Sequence, residues 1–390
     1  MIDVVLHPGR DRSVRRRHPW LLSGAVARVD GSAEPAALAR VLSAEGEVLG
    51  FGDFSPHSAL RVRLLTFGKE TPAPGALIEE RIAAAVALRA RDPLLGETEG
   101  VRLVNAEGDG LPGLVADRYG DCVVVKLTSA GMGARRERVA RALRNASGAR
   151  AGFERADAPA ARREGMAARQ GVLWGDAPTA PIWFLERARR YAVDTVAGQK
   201  TGFYLDQRDA RDLVESIAGG RRVLDLFAYS GGFAAAAARG GARSVTLVES
   251  SAAALDLARL HLDANGPAVP ARFVQGDAFR FARSESGAYD LIAIDPPPLA
   301  RQRRDVSRAA RAYKDALLFA LRCAAPGAFV LSFACSHHVG PDLFRKIAFA
   351  AALDAGRSVQ VLRTLGPPSD HPASIDHPEG SYLTGLLLRA

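Results

Sequence analysis

Lysine is nearly missing from this basic chain. Of its 52 Lys and Arg residues only Lys69, Lys126, Lys200, Lys314 and Lys346 are lysine. A net charge of +9 favours an anionic partner, nucleic acid above all. An arginine skew with abundant Ala and Gly also follows from GC-rich coding, so the charge supports RNA binding without showing it. Cysteine is scarce. Three in 390 residues make no disulfide framework, which fits a reducing cytoplasm. Long apolar runs are lacking too. The most apolar late stretch, 316–335, is broken by Arg322 and Pro326-Gly327, whereas a membrane helix needs roughly twenty apolar residues. The start, Met1-Ile-Asp-Val-Val-Leu-His-Pro8, has an early acid and too short an apolar run for a signal peptide. A cytoplasmic protein with no membrane association is expected. There is no fixed-period repeat. With 48% apolar and 24% charged residues the chain is globular in composition, and 390 residues call for two or three domains.

Two Pro/Ala/Gly-rich seams divide it: Thr71-Pro-Ala-Pro-Gly75 and Gly175-Asp-Ala-Pro-Thr-Ala-Pro181. They predict domains over 1–70, 76–178 and 182–390. Before the first seam, strand-like pieces at 36–42, 47–51 and 59–65 alternate with glycine turns, which predicts a small β-rich module. Between the seams, helices over 77–89 and 135–145 flank strands near 101–104, 113–117 and 122–127. After the second seam strands and helices alternate, which implies a parallel sheet covered on both faces.

The most informative stretch is Val223-Leu-Asp-Leu-Phe-Ala-Tyr-Ser-Gly-Gly-Phe233. It reads as a buried strand (223–226), a small-residue turn and a helix (233–239). Such a turn lets backbone N–H groups approach a ligand closely. A second strand, 245–249, ends in Glu249, 24 positions after Asp225, a spacing that suits a carboxylate gripping a ribose hydroxyl. A third, 271–275, runs into Gly276-Asp277-Ala278. A fourth, 290–295, runs into Pro296-Pro297-Pro298. Four strand ends carrying acids or glycines point at one crevice. The expectation is an S-adenosylmethionine (SAM) site built from Asp225, Phe227, Tyr229, Ser230, Gly231, Gly232, Glu249, Ser250, Asp277, Ala278, Asp295 and Pro296. Glu249 and Asp277 could equally be capping or surface acids, and Asp225 could orient the turn without touching the ligand.

A fifth strand, 328–334, is expected beside the fourth and ends at Cys335-Ser336. A thiol and a carboxylate would then sit side by side. That pair fits methylation of a pyrimidine at C5. A thiolate adding at C6 makes C5 nucleophilic, C5 takes the methyl group, a base removes the C5 proton, and the thiolate leaves. Asp295 would hold the N3–H of the pyrimidine or stabilise the protonated ring, and a protonated His337 or His338 would favour the thiolate. The plain alternative for Cys335 is a small core residue. Core packing is expected for Cys122 and Cys323. The Cys335, His337, His338, His371 and His377 spacing matches no standard zinc pattern, so no metal is expected.

Other motifs surround this chemistry. Gln199-Lys-Thr-Gly-Phe-Tyr-Leu-Asp-Gln-Arg208 precedes a helix from about 209 to 217. Lys200 and Gln207 are candidates for covering SAM, and Lys200 and Phe203 for gripping RNA; a cap at Asp206 and a turn at Gly202 are the structural alternative. Arg15, Arg16 and Arg17 with Trp20 suit phosphate contact plus base stacking, or a solvated loop whose tryptophan packs inward. The polar segments Ser369-Asp-His-Pro372 and Ile375-Asp-His-Pro-Glu-Gly380 precede a last strand at 383–388.

Taken together, the chain resembles the bacterial SAM-dependent large-subunit (23S) rRNA cytosine-C5 methyltransferases with an N-terminal PUA domain. The matching motifs are Arg17-His-Pro-Trp20 with Ser23-Gly24, Gly108-Asp-Gly-Leu-Pro-Gly-Leu114 with Asp117-Arg-Tyr-Gly120, Arg163-Glu-Gly165, the 198–208 block, Leu226-Phe-Ala-Tyr-Ser-Gly-Gly-Phe233, Asp295-Pro-Pro297, Cys335-Ser-His-His338, and Asp370-His-Pro372 with Pro378-Glu-Gly380. The resemblance spans essentially the whole chain. It implies an α/β protein: a class I Rossmann-like methyltransferase domain, preceded by a small β-rich PUA-like barrel and a central α/β domain. It implies Cys335 as nucleophile with Asp295 as partner, and rRNA as substrate. Many RNA cytosine-C5 methyltransferases carry a second cysteine where Pro298 stands, so proton release here falls to another base or to water. Two rivals remain open: an RNA N-methyltransferase that needs no thiol, and a non-catalytic RNA-binding ribosome-assembly factor. Whether two copies form a homodimer is also open.

Overall fold

The computed structural model describes residues 1–390 apart from Ala197, Gln199, Pro267, Ser286, Gly287 and Arg301. The chain divides into two compact units. The first comprises Met1–Ile182, Asp194–Phe203 and Ser369–Gly380. The second comprises Trp183–Val193, Tyr204–Pro368 and Ser381–Ala390.

The first unit holds two sheets. One has six strands, in the order Trp20–Leu22, Leu60–Phe67, Val48–Phe54, Leu38–Leu42, Ile2–Leu6, Val26–Asp30. Its core is Ile2, Val4, Leu6, Leu21, Val41, Phe54, Val62 and Leu64. The other has five strands, in the order Gly171–Trp174, Ala151–Glu154, Cys122–Leu127, Leu114–Tyr119, Gly100–Asn105. The helices Pro74–Arg91 and Arg136–Ser147 cover it through Ile78, Ile82, Val139 and Leu143. Two stretches far along the sequence join this unit, each by hydrogen bonds to buried backbone or side chains. The Asp370 carboxylate accepts Arg102 N–H at 3.0 Å, and Pro372 O accepts Asn105 Nδ2 at 2.9 Å. Tyr119 Oη lies 2.9 Å from Thr201 Oγ1 and accepts Phe203 N–H at 3.2 Å.

The second unit is a seven-stranded sheet. Its strands are β1 (Arg222–Leu226), β2 (Ser244–Glu249), β3 (Ala271–Gln275), β4 (Tyr289–Ile294), β5 (Ala324–Cys335), β6 (Gln360–Leu365) and β7 (Leu383–Arg389), ordered β3-β2-β1-β4-β5-β7-β6. The first five are parallel, and β7 runs antiparallel to β5 and β6. Its helices are α1 (Arg208–Ile217), α2 (Gly232–Arg239), α3 (Ala252–Ala264), α4 (Ala278–Ser284), α5 (Val306–Cys323) and α6 (Pro341–Asp354). The order reverses between β1 and β4, which opens a crevice beyond their carboxyl ends.

Side-chain alternation assigns the faces. Leu224, Leu226, Ile292, Ile294, Val330 and Ala334 share a core with Tyr313 and Leu317 of α5 and Phe344 and Ile347 of α6. Asp225, Ala293, Leu331 and Phe333 face the other way: Phe333 stacks on Phe233 of α2 at 5.8 Å.

Candidate active site

The turn after β1 is held in an uncommon backbone shape. Phe227, Tyr229 and Gly231 have φ of 62°, 48° and 68°. Left-handed non-glycine residues are costly, and they cluster at functional sites. Side chains of neighbouring elements hold the shape. Tyr229 N–H donates to Glu249 Oε2 at 2.9 Å, tying the turn to the tip of β2. The Asp225 carboxyl accepts Ala234 N–H at 3.1 Å, in the first turn of α2. His261 of α3 donates from Nδ1 to Ser230 O at 2.7 Å, while its Nε2 accepts Ala192 N–H at 2.9 Å. Burial pushes the His261 pKa down to about 4, so the ring is neutral and its tautomer fixed.

Gly231 has no alternative here. A Cβ would lie 2.8 Å from Ala258 Cβ and 2.9 Å from Leu247 Cδ2. Gly231→Ala is expected to weaken SAM binding at least about tenfold by calorimetry, because clash and positive φ both displace the turn. Unchanged affinity would detach the turn from the cofactor.

Asp225 is fully buried, and burial, with Asp295 and Glu249 nearby, pushes its pKa up to about 8. An unfolded carboxyl releases its proton near pH 4. Between those values the native state binds more protons, so stability falls as pH rises, by up to about 1.4 kcal/mol per pH unit. Asp225→Asn should flatten the decline in Tm between pH 5 and 8; an unaltered slope would show that Asp225 is already ionised.

The other expected cofactor residues surround this turn. Phe227 meets Phe279 edge-on at 5.1 Å, and Tyr229 meets Tyr204 edge-on at 5.3 Å. Ser230 Oγ is buried without a partner among the described residues, an opening for a ligand hydrogen bond. Ser250 is exposed and donates to Glu249 Oε1 at 3.0 Å. Asp277 caps α4, accepting Arg280 N–H at 2.6 Å, so its capping reading holds; Ala278 and Pro296 are buried.

Asp295 continues the β1–β4 ladder, since its N–H donates to Leu226 O at 3.4 Å. Ile294 pairs with Ser332, which sets Asp295 beside Phe333, two residues short of Cys335. Two residues of strand preserve the side-chain direction and span roughly 6–7 Å. The carboxylate and the thiol therefore sit on one face at neighbouring strand ends. Asp295 Oδ2 accepts Gln207 Nε2 at 2.9 Å, and Gln207 Oε1 is buried without a partner among the described residues. Cys335 is half-buried, whereas Cys122 and Cys323 are buried and their thiols pushed up to about 11 by burial. The sequence placed Cys335 just after a strand beginning at 328; β5 instead starts at Ala324 and includes Cys335, which pairs with Leu383 of β7.

His261 was not singled out from sequence, and Tyr204 only as part of the Lys–Thr–Gly block. Burial first, then Asp295 and other anionic neighbours including Cys335, raise the Tyr204 pKa, which leaves a neutral phenol near both groups. His261 could have been flagged by its partner Asn265 one turn on, which bonds both N–H and C=O of Arg190. Two polar residues on one buried helix face mark a docking edge.

The expected RNA contacts fare unevenly. Arg16 and Arg17 are exposed. Arg15 is ion-paired with Asp11 and Glu47, at 2.6 Å each. Trp20 packs inward: its Nε1 donates to Glu107 at 2.8 Å and its ring lies 4.4 Å from His377. Phe203 is corrected to a packing residue, 3% exposed, because Tyr119 and Thr201 draw its backbone into the first unit. Lys200 is half-buried in that unit and Gln207 belongs to the second, so the Lys–Thr–Gly block is divided between them; its Gln199 lies outside the described residues.

The profile of S-adenosylmethionine-dependent methyltransferases matches residues 168–389, and that of PUA-like domains matches 4–67. Ribosomal RNA large subunit methyltransferase I of Aeromonas salmonicida is 39% identical over 100% of this chain and 99% of its own. The protein of the same name from Photobacterium profundum is 40% identical over 98% of each chain. The chain belongs to the ribosomal RNA large subunit methyltransferase I family. Its cofactor is SAM, and the β1 turn, Glu249 and the orphaned Ser230 hydroxyl fit it. SMU.776, assigned as a methyltransferase and crystallised with SAH, shares the fold of this family member across 100% of both chains, with a TM-score of 0.85 at 22% identity. Among the described residues no helix is long and apolar enough to cross a membrane, and no group of three or more His, Cys, Asp or Glu could hold a metal ion.

Proposed function

We propose that the chain methylates C5 of a cytosine in 23S rRNA through a covalent adduct at Cys335. The observation that carries this reading is the shared face of Asp295 and Cys335 at adjacent strand ends beyond the SAM turn. Bound SAM supplies an electrophilic methyl group. Cys335, as thiolate, adds to C6 of the base and makes C5 nucleophilic. C5 takes the methyl group, loses its proton to a base or water, and the C6–S bond then breaks to return the thiolate. Asp295 holds N3. Gln207 keeps that carboxylate in place, and its free Oε1 accepts the cytosine N4 amino group; uracil presents a carbonyl there, which cannot donate. Glu249 grips the cofactor ribose, and the turn from Phe227 to Gly232 cradles its remainder.

Residues 1–70 supply RNA affinity, with Arg16 and Arg17 meeting phosphate, 76–178 extend the RNA-facing body, and 182–390 carry the chemistry in the cytoplasm. The substrate is free rRNA or an early assembly particle, because the base must be exposed to reach the thiol. The test is transfer from labelled SAM to unmodified 23S rRNA, followed by nucleoside analysis. 5-Methylcytidine is expected; an N-methylated nucleoside would favour the thiol-free rival.

A further inference from the structure

The first unit contains a cavity of about 360 Å³ that the methyl-transfer chemistry does not use. That volume is within the range of small-ligand sites, ~300–1,000 Å³. Three motifs far apart in sequence converge on its wall: the arginine run at Arg17, the Gly108–Gly110 turn beside Glu107, and the segment carrying Asp376. Strand residues Thr66 and Phe67 line it too, as does Arg81, whose guanidinium donates to Gly110 O and Leu65 O.

Its wall carries two guanidiniums, Arg17 and Arg81, and two carboxylates, Glu107 and Asp376. Arg17 is exposed, forms no ion pair among the described residues, and lies 5.2 Å from the Phe67 ring centroid. Aromatic rings and guanidinium planes are the two surfaces on which single-stranded RNA bases stack. Glu107 accepts Trp20 Nε1 on Oε1, and Asp376 accepts the Ser374 hydroxyl on Oδ1, so each of the two acids has one oxygen engaged by the protein. Carboxylates repel phosphate but accept N–H donors. The Thr66 hydroxyl is buried with no partner among the described residues. The site therefore takes a base inside and a phosphate at Arg17. Guanine alone among the RNA bases offers adjacent ring N–H and amino donors on one edge, two donors for the two acids of this wall.

We propose that this cavity holds an unpaired guanine nucleotide of the RNA substrate, as an anchor separate from the cytosine that is methylated. The proposal rests on the rRNA-methyltransferase reading. Its test uses 5′-GMP and 5′-CMP as probes by saturation-transfer NMR, alongside filter binding and methyl transfer with unmodified 23S rRNA. The full-length proteins compared are wild type, Phe67→Leu, Phe67→Trp and Arg17→Ala, with Arg28→Ala as a charge control. Saturable binding of GMP over CMP is expected, lost in Phe67→Leu and retained in Phe67→Trp, which separates stacking from folding. The KM for rRNA should rise about 5- to 150-fold in Phe67→Leu and Arg17→Ala, with kcat and SAM affinity unchanged and Arg28→Ala like wild type. No GMP preference in wild type, or a KM within twofold in both variants, overturns the proposal. A product other than 5-methylcytidine would sink the cytosine reading alone, because GMP and rRNA affinities are measured without it.

Discussion

Cys335→Ala is expected to lower methyl transfer to rRNA by about 10⁴-fold or more, while SAM affinity stays within twofold. The asymmetry follows from the position of the thiol. It lies at the end of β5, on the face of Asp295, and the bonds to the β1 turn from Glu249, Asp225 and His261 are made by other side chains. Without the thiolate, C5 of a cytosine is too weak a nucleophile to attack the methyl group. Cys323→Ala is the matched control, since that thiol is buried in the core beside Glu285 O at 3.4 Å. Full activity of Cys335→Ala would return Cys335 to a packing role and favour the thiol-free rival.

Glu186→Ala is expected to destabilise the second unit by about 3–5 kcal/mol. Glu186 is completely buried, and three arginines that are almost fully buried converge on it. Arg211 Nε donates to Oε1 at 2.7 Å, and its Nη2 donates to Oε2. Arg189 Nη2 donates to Oε1 at 3.3 Å, and Arg208 Nε lies 3.8 Å from Oε2. Removing the carboxylate takes the shared counter-charge from three buried arginines, of which Arg189 keeps Asp212 and Glu215. The consequence reaches the active site, because Glu186 belongs to the hairpin Ile182–Glu186/Arg189–Val193, and Tyr191 of that hairpin donates to Gly232 O at 3.1 Å. Burial opposes ionisation of Glu186, yet Arg211, Arg208 and Arg189 hold its pKa below the usual carboxylate range. A lowered folded pKa gives stability that is present above pH 4.5 and lost as pH falls through the folded value. Wild type should therefore lose this contribution only in acid, and the variant should lack it throughout. A shift in urea midpoint equivalent to less than 1 kcal/mol would mean the arginines find other partners.

The SAM domain was the most legible part of the sequence because its signals are local. A continuous apolar strand, a glycine turn and a helix in one run leave the backbone little choice, and β1, β2 and α2 fall within a residue or two of their expected places. Short elements were less legible. Ile2–Leu6, Val26–Asp30 and Gly171–Trp174 are short strands whose patterns become meaningful only beside their partners. Burial of Phe203 could not be read from sequence either. An aromatic in a Lys–Thr–Gly–Phe segment looks like an RNA contact until Tyr119, 84 residues upstream, is seen to bond its backbone.

What the sequence determined by itself is the parallel α/β domain and its acid-tipped strand ends, since periodicity follows from residues adjacent in the chain; the cysteine was expected beside the aspartate from the strand order usual for such sheets. Only the tertiary structure decided that Gln207 grips Asp295, that a neutral His261 supports the Ser230 carbonyl, and that the Asp-His-Pro segments pack with the first unit. Each is a hydrogen bond between groups dozens to hundreds of residues apart. Such bonds form because burial leaves polar groups no water, and no local pattern names the partner that replaces it.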